Sequence, residues 1–427
     1  MKWLKKVIQI FKIKDLRKKI IFIMGVLVIF RVAANIPIPG IDIERLRRFF
    51  EANQLFGLLN IFTGGAMSNL SVAMLGLGPY ITAVIIMQLL TMIFPQLEQM
   101  YKEEGEAGRK KFNQYARILT VPLAILQSYG MLTLLSRQRI ITPLSFLDWI
   151  TSISVITAGA VFLMWLGELI SEKGLGDGVS LLIFAGIVAR VPISIRELAV
   201  TYDPSKIPSY IAFFLLAIII TAGVVLVNEA RRNIPVSYAK RIRGHRVYGG
   251  VSTYLPLNVN PAGVIPIIFA LSIMLFPGMV ANFLSGSDVK WISAISKNIG
   301  AIFQNPWFYG ICYFLLVVLF TYFYTAVTFD PKTISENLQK MGGFIPGIRP
   351  GKPTSDFLHY ILNRILLFGA IFLGIIAVLP SVIQGATGVR AFAFAVGGTA
   401  LLIVVAVVLD IVRQIEAQLV MREYEKF

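Results

Sequence analysis

The sequence is poor in the residues from which catalytic and metal sites are usually built. It has one cysteine, Cys312, and two histidines, His245 and His359. A single cysteine excludes an intrachain disulfide, and two distant histidines without an HExxH or CxxC pattern provide no metal-ligand set. No P-loop and no Ser/His arrangement is present. We therefore expect no enzyme activity, no catalytic residue, no metal and no cofactor.

Charge is also scarce inside the long apolar runs that extend between Lys19 and Met421. The charged residues that enter these runs lie near an end, at Arg31, Arg117, Glu168, Arg190, Arg364 and Asp410. A charge at bilayer depth is costly, and ion-coupled transporters retain such charges because their coupling chemistry needs them. The lack of charge favours an apolar passage over a binding site for a small ion.

Apolar residues are abundant. The 427 residues are 56% hydrophobic with a mean hydropathy of +0.74, more apolar surface than a soluble protein of this size could cover. We predict an all-α polytopic membrane protein that begins with a basic, amphipathic cytoplasmic N-terminus, residues 1–19, without a cleavable signal peptide. The ten predicted spans are 20–34, 72–94, 115–135, 150–170, 178–191, 208–228, 261–284, 305–329, 357–380 and 392–415.

The basic residues are distributed unevenly among the loops. When the basic residues near the end of a predicted span are counted with the adjacent loop, 28 of the 40 Lys and Arg residues fall in the N-terminus and alternate loops, and 12 fall in the other loops. The positive-inside rule makes the richer set cytoplasmic, so both termini lie inside and the number of spans is even. The resulting basic face suits anionic lipids and RNA.

One segment before the second span, residues 55–77, fits neither a span nor an ordinary loop. It is too polar and too rich in glycine for a span, yet too apolar for a loop exposed to water. Irregular backbone at membrane depth must be buried in protein. A short re-entrant helix and an interfacial loop both fit the pattern.

Two basic loops of the cytoplasmic set, residues 229–260 and 330–356, are long and carry aromatic residues. In the first loop, the pattern predicts a hairpin with strands at 236–239 and 247–254 and with Gly244 near the turn. The loops fit a docking surface for a partner, and they also fit plain solvated basic surface.

A catalytic interpretation of Gly174-Leu-Gly-Asp177 and Tyr202-Asp203 is disfavoured. These segments match the GxGD and YD patterns of intramembrane aspartyl proteases, in which two carboxylates activate water. Here they lie in loops and occur in the opposite order. A helix-linking turn with glycines at positive φ is the better explanation.

Two pairs of isoleucines share a spacing of four residues. Ile81 and Ile85 lie in the second predicted span, and Ile183 and Ile187 lie in the fifth. This spacing places each pair on one face of a helix. The spacing alone fits ordinary helix packing as well as a pore lining.

The chain resembles the bacterial SecY family of protein-conducting channels along essentially its whole length. The segments that carry the resemblance are Gly78-Pro-Tyr-Ile81 with Gln88-Leu-Leu90, Glu172-Lys-Gly-Leu-Gly-Asp-Gly-Val-Ser180, Tyr238-Ala-Lys-Arg241, Thr253-Tyr-Leu-Pro-Leu257, Asn260-Pro-Ala-Gly-Val-Ile-Pro266, Gly347-Ile-Arg-Pro-Gly351, Gly397-Gly-Thr-Ala-Leu-Leu402 and Gln414-Ile-Glu-Ala-Gln418.

The resemblance implies ten transmembrane helices arranged as two inverted five-helix halves around a central pore. The halves would be residues 20–191 and 192–415, followed by a cytoplasmic tail, 416–427. A lateral gate between spans two and seven would release transmembrane segments into lipid. A short re-entrant plug helix at about 60–70 would consist of Ile61, Phe62, Thr63, Gly64, Gly65, Ala66, Met67, Ser68, Asn69 and Leu70.

The resemblance also implies a pore ring and a docking surface. The ring would comprise Ile81, Ile85, Ile183, Ile187, Ile268 and Ile403. Docking of SecA or the ribosome would involve Lys240, Arg241, Arg243, Arg246, Arg349 and Lys352.

The family's partners would be SecE, SecG, the motor ATPase SecA, the ribosome and YidC, besides the translocating polypeptide, its signal sequence and anionic lipids. No specific nucleic acid is expected apart from ribosomal RNA, and the expected location is the cytoplasmic (inner) membrane, with both termini cytoplasmic. The rival hypothesis is a secondary transporter with five-plus-five inverted repeats. It requires a polar site at mid-membrane, and none is apparent in the sequence.

Overall fold

The computed structural model describes residues 13–38, 63–67, 69–137, 140–141, 145–174, 176–200, 204, 207–238, 241–243, 246–248, 252–284, 302, 305–387 and 398–424. The helices are α1 (Lys14–Ala33), α2 (Gly78–Ile93), α3 (Pro95–Lys102), α4 (Gly105–Arg137), α5 (Phe146–Glu172), α6 (Gly178–Val200), α7 (Ile207–Glu229), α8 (Ile265–Leu284), α9 (Pro306–Thr328), α10 (Pro331–Lys340), α11 (Lys352–Thr387) and α12 (Gly398–Tyr424). The strands are β1 (Arg231–Tyr238), β2 (Arg241–Arg243), β3 (Arg246–Tyr248), β4 (Ser252–Asn258) and β5 (Gly343–Phe344).

Every predicted span coincides with one of these helices. Within the described ranges, five helices are long and apolar enough to cross a membrane, and there are six if α2 and α3, which meet at a bend of 112°, count as one broken span. The apolar stretches of α6, Gly178–Ile193, and of α8, Ile265–Met274, are shorter. The fold is therefore mainly helical, with several helices that could span a membrane.

Several helices begin with residues that satisfy or remove their free backbone N–H groups. Ser145 and Asp148 form a capping box at the start of α5. The side chain of Asn305 accepts a hydrogen bond from the backbone N–H of Trp307 at 3.0 Å, at the start of α9. Proline occupies the first turn of α2, α3, α9 and α10, where no N–H donor is needed.

Among the five span-length helices of the described residues, α7 is the least buried. Only 18% of its most apolar stretch is buried, and large side chains such as Ile218 and Ile219 are exposed. Exposed apolar area of this extent marks contact with lipid or with another protein. We attribute this face of α7 to membrane contact because the helix has no charged residue between its ends.

Two small sheets interrupt the helical architecture. The order of the larger sheet is β4-β1-β5, and both pairings are antiparallel. The smaller sheet pairs β2 with β3. The prediction of a single hairpin between 236–239 and 247–254 is therefore wrong, because there are two antiparallel pairs: β1 pairs with β4, and β2 pairs with β3. The second pair lies between β1 and β4 in the sequence. Gly244 lies outside the described residues.

The larger sheet joins the two basic loops into one unit. Ser237 pairs with Phe344, and Tyr238 pairs with Gly343, although the two strands belong to different loops. An apolar cluster fixes the sheet against α10 and α11; its buried members are Ile234, Val236, Leu257, Leu338, Ile345, Leu358 and Ile361. We call this assembly of β1, β4, β5 and α10, together with the loop from β5 to the start of α11 at Lys352, the sheet unit.

Candidate functional site

The six isoleucines predicted to form a ring come from α2, α6, α8 and α12, and they share one apolar cluster. Ile81 is half-buried against this cluster. The other five are at most 9% exposed, namely Ile85, Ile183, Ile187, Ile268 and Ile403. Helices distant in the sequence thus bring these side chains into one core. Their role as a pore constriction remains a prediction.

The segment before α2 folds onto the same cluster. Residues 63–67 and 69–77 form consecutive turns, so the described part of the predicted plug helix is not helical. Ile61, Phe62 and Ser68 of the predicted plug lie outside the described residues. Ala66 is fully buried and belongs to the isoleucine cluster.

Gly64 brings this turn segment close to the backbone of α6. A Cβ atom on Gly64 would lie 2.9 Å from the Cα atom of Gly186, and its φ of +67° also disfavours any other residue. Gly186 lies between Ile183 and Ile187 in the sequence of α6. The turn segment therefore rests on the helix that carries two of the six isoleucines.

Polar contacts attach the turn segment to the end of α1. Arg31 Nη1 donates to the backbone oxygen of Gly64 at 2.6 Å. Beyond α1, the backbone N–H of Ile38 donates to the oxygen of Leu70, and that of Val72 donates to the oxygen of Ile36, each at 3.0 Å. This contact of Arg31 was not predicted from the sequence. The available signal was an arginine within an apolar run, which needs a polar partner.

The sheet unit holds Arg349 in a defined backbone frame. Thr354 Oγ1 donates to the backbone oxygen of Arg349 at 2.9 Å, and Ser335 Oγ donates to that of Gly351 at 2.6 Å. Gly347 and Gly351 both have positive φ, at 84° and 96°. Arg349 and the nearby Lys352 are exposed. Of the other predicted docking residues, Arg241, Arg243 and Arg246 lie in β2 and β3, and Lys240 lies outside the described residues.

Asp330 begins α10 of this unit as its N-cap. Partial burial opposes ionisation, but the pKa of the Asp330 carboxyl is lowered because Thr333 and the backbone N–H of Lys332 donate hydrogen bonds to it. The carboxylate therefore stays charged at neutral pH and caps the helix. This cap helps to fix the end of the sheet unit nearest α9.

Asp177, the aspartate of the protease-like pattern, has a structural role. Its Oδ2 accepts hydrogen bonds from the backbone N–H and the hydroxyl of Ser180, at 3.0 and 2.6 Å, at the start of α6. Gly174 and Gly176 have positive φ values of 71° and 95°. This geometry matches the predicted helix-linking turn. Asp203, the other aspartate of the pattern, lies outside the described residues.

Comparison with known proteins identifies similar chains along the whole sequence. The SecY family model matches residues 71–412. The chain is 44% identical to the protein translocase subunit SecY of Corynebacterium glutamicum over 98% of both chains. It is 43% identical to the protein of the same description from Streptomyces coelicolor, again over 98% of both.

Solved structures share the fold at lower sequence identity. A structure described as a protein conducting channel has a TM-score of 0.64 and 20% identity, covering 93% of this chain and 91% of that one. Sec61 in a canine ribosome–channel complex has a TM-score of 0.61 and 19% identity over the same shares. The fold of this chain is thus that of the SecY and Sec61 proteins.

Proposed function

The chain belongs to the SecY family, and we propose that it is the central subunit of a protein-translocation channel. The channel would pass unfolded secretory polypeptides across the plasma membrane and release transmembrane segments sideways into lipid. The observation that carries the proposal is the single apolar cluster that contains isoleucines from both halves of the chain, with the turn segment resting on it.

A ring of branched aliphatic side chains suits this task. A polypeptide in transit varies in sequence, so fixed polar groups cannot recognise it. Branched side chains have few rotamers, seal by packing and exclude water when nothing passes. The burial of five of the six isoleucines supports a closed channel in which the turn segment acts as the plug. A transporter would instead need a polar site among these side chains.

The lateral gate would lie between α2 and α8, which contact one another. An apolar signal helix could leave through this seam by partitioning into lipid. We further propose that all ten helices matching the predicted spans cross the membrane as two inverted halves, with both termini cytoplasmic.

The sheet unit supports docking of the ribosome and SecA, because Arg349 and Lys352 project from a rigid frame on the predicted cytoplasmic face. We extend the assembly to SecE, SecG and YidC, in the inner membrane. Since the sequence contains no P-loop, the work of translocation would come from SecA or the ribosome.

Crosslinking to a stalled polypeptide tests the proposed pore. In a background where Cys312 is replaced by Ala, single cysteines at Ile81, Ile187, Ile268 and Ile403 should each form a disulfide with a cysteine in the translocating chain. Val188 on α6 and Val408 on α12 provide matched controls, because their side chains are 40% and 41% exposed on other faces of the same helices. Equal crosslinking at ring and control positions would refute the pore assignment.

A further inference from the structure

A polar cavity of about 330 Å³ lies between the ends of α6, α7 and α8 and the middle of α12. It is at the end of these helices that carries the sheet unit, since residues at the end of β4 also line it. Its polar lining includes Asp177, Ser180, Asn228, Asn260 and Asp410. None of these side chains was assigned a binding role above.

Helical register places this cavity directly next to the isoleucine cluster. On α6, Ser180 precedes Ile187 by seven residues, and on α12 Asp410 follows Ile403 by seven. Seven residues are about two helical turns, or roughly 10 Å, and return to the same face. A polypeptide that enters from the sheet-unit side would therefore meet the cavity before it meets the isoleucines.

The cavity holds a buried hydrogen-bond acceptor without a partner. Asn260 is only 7% exposed, and its Nδ2 donates to Asn228 Oδ1 at 2.9 Å and to the backbone oxygen of Gly263 at 3.2 Å. Within the described structure, Asn260 Oδ1 and Asn228 Nδ2 have no hydrogen-bond partner. A buried polar atom of this kind is costly unless a ligand or water satisfies it.

Two aspartate side chains line the cavity. Among the residues that the structure describes, neither Asp177 nor Asp410 forms an ion pair; Asp177 bonds to Ser180, and Asp410 Oδ2 accepts from Gln414 Nε2 at 3.2 Å. Arg413 also lines the cavity, but it is paired with Glu229 at 2.6 Å. The cavity thus presents two carboxylates that are hydrogen-bonded but not ion-paired, and an amide oxygen without a hydrogen-bond partner, which together suit a cationic donor.

We propose that this cavity binds the lysine or arginine side chains at the start of a signal sequence. The inference rests on the proposed function. Signal sequences begin with a positively charged region followed by an apolar segment. The cation would pair with Asp177 and Asp410 and donate to Asn260 Oδ1, while Asn228 Nδ2 would donate to a backbone carbonyl of the same peptide. The apolar segment would then lie against the isoleucine cluster and the gate.

Transport by membrane vesicles that contain the complete complex tests this assignment. The probes are one precursor with a basic leading region and the same precursor with those basic residues changed to glutamine. Asp177→Asn and Asp410→Asn should each slow initiation with the basic precursor by roughly two- to five-fold, as expected for loss of one partly exposed charge contact. Asparagine retains the capping ability of Asp177, so α6 should remain intact.

The neutral precursor and a distant carboxylate provide the controls. Both variants should transport the neutral precursor at the parental rate, and Glu106→Gln, at an exposed position in α4, should leave both precursors unaffected. The difference between precursors should shrink at high salt because screening weakens exposed charge pairs. Equal slowing of both precursors, or slowing of neither, would overturn the proposed cavity function. Failure of the parent to transport either precursor would instead refute the proposed channel.

A crosslink locates the bound region directly. Leu409 lines the cavity, whereas the adjacent Val408 is exposed and does not. In the Cys312→Ala background, Leu409→Cys should form a disulfide with a cysteine placed among the basic residues of a stalled precursor, and Val408→Cys should not. Crosslinking at Val408 that equals crosslinking at Leu409 would exclude the cavity as the binding site.

Discussion

Gly64 and Arg31 together determine where the turn segment lies. Gly64 permits the backbone of the segment to touch the backbone of α6 at Gly186. Arg31 then donates a charged hydrogen bond to the carbonyl oxygen of the same glycine, at 2.6 Å. A hydrogen bond with a charged donor contributes more than a neutral one, roughly 1.5–3 kcal/mol. One residue thus allows the close approach, and the other stabilises it.

Replacing Gly64 with alanine should displace the turn segment. The new Cβ would collide with backbone, which cannot move aside as a flexible side chain can, and the positive φ would add strain. We expect Gly64→Ala to raise ion conductance through reconstituted, idle channels while the protein remains folded.

Gly25→Ala is the matched control for this variant. Gly25 lies within α1, and nothing lies within 4 Å of the position that its Cβ would occupy. It should therefore leave conductance at the parental level. If Gly64→Ala vesicles were as tight to ions as Gly25→Ala vesicles, the turn segment would not be the seal.

At the level of elements, the sheet unit converts two loops into one surface. β1 from the first loop pairs with β5 from the second, and α10 packs on the same apolar cluster. Because this unit is tied together by strand pairing and a buried core, its exposed basic residues keep fixed relative positions. A docking partner would bind such a surface without first ordering two separate loops.

Charge reversal at Arg349 tests docking. Its Gly-Pro loop is fixed by hydrogen bonds from Ser335 and Thr354, so Arg349→Glu should remove a contact without unfolding the unit. We expect binding of SecA or the ribosome to membrane vesicles to weaken at least several-fold at low salt, where screening is smallest.

Lys110→Glu makes the same charge change on exposed surface of α4, outside the sheet unit. It should weaken binding far less than Arg349→Glu, since only general attraction to the basic face would change. Equal binding by the two variants would show that the sheet unit is ordinary solvated surface.

The sequence predicted elements that depend on local patterns and failed where distant segments meet. Each span predicted from the apolar runs overlaps one helix of the structure. The glycines near Asp177 indicated the turn between α5 and α6. The pairing of Ser237 with Phe344 has no local signature, because its partner lies in another loop.

The same limit applies to the candidate site. Helical spacing grouped Ile81 with Ile85 and Ile183 with Ile187, but only the family resemblance suggested Ile268 and Ile403. Tertiary packing brings all six into one cluster. The cavity next to the cluster was not predicted, since its lining comes from three helix ends and the middle of α12, which meet only in the folded chain.

For the whole molecule, the distribution of charge and apolar surface defines an orientation. The described helices expose large apolar side chains along their length, and the sheet unit projects basic residues from one end. The positive-inside rule predicts that this end faces the cytoplasm. The start of α5, which lies in a loop of the less basic set, should then face outward.

Labelling with an impermeant thiol reagent tests this orientation in intact cells. With Cys312 replaced by Ala, cysteines at Ser252 and Lys340 probe the sheet unit, and a cysteine at Leu147 probes the start of α5. All three positions are exposed, so burial would not prevent reaction.

We expect Leu147→Cys to react from outside, and Ser252→Cys and Lys340→Cys to react only after the membrane is opened. These outcomes follow if α4 ends and α5 begins on the outer side while the chain returns to the cytoplasm after α7 and α9. Labelling of Ser252→Cys or Lys340→Cys in sealed cells would invert the orientation, and docking of a cytoplasmic motor or ribosome on the sheet unit would then be impossible.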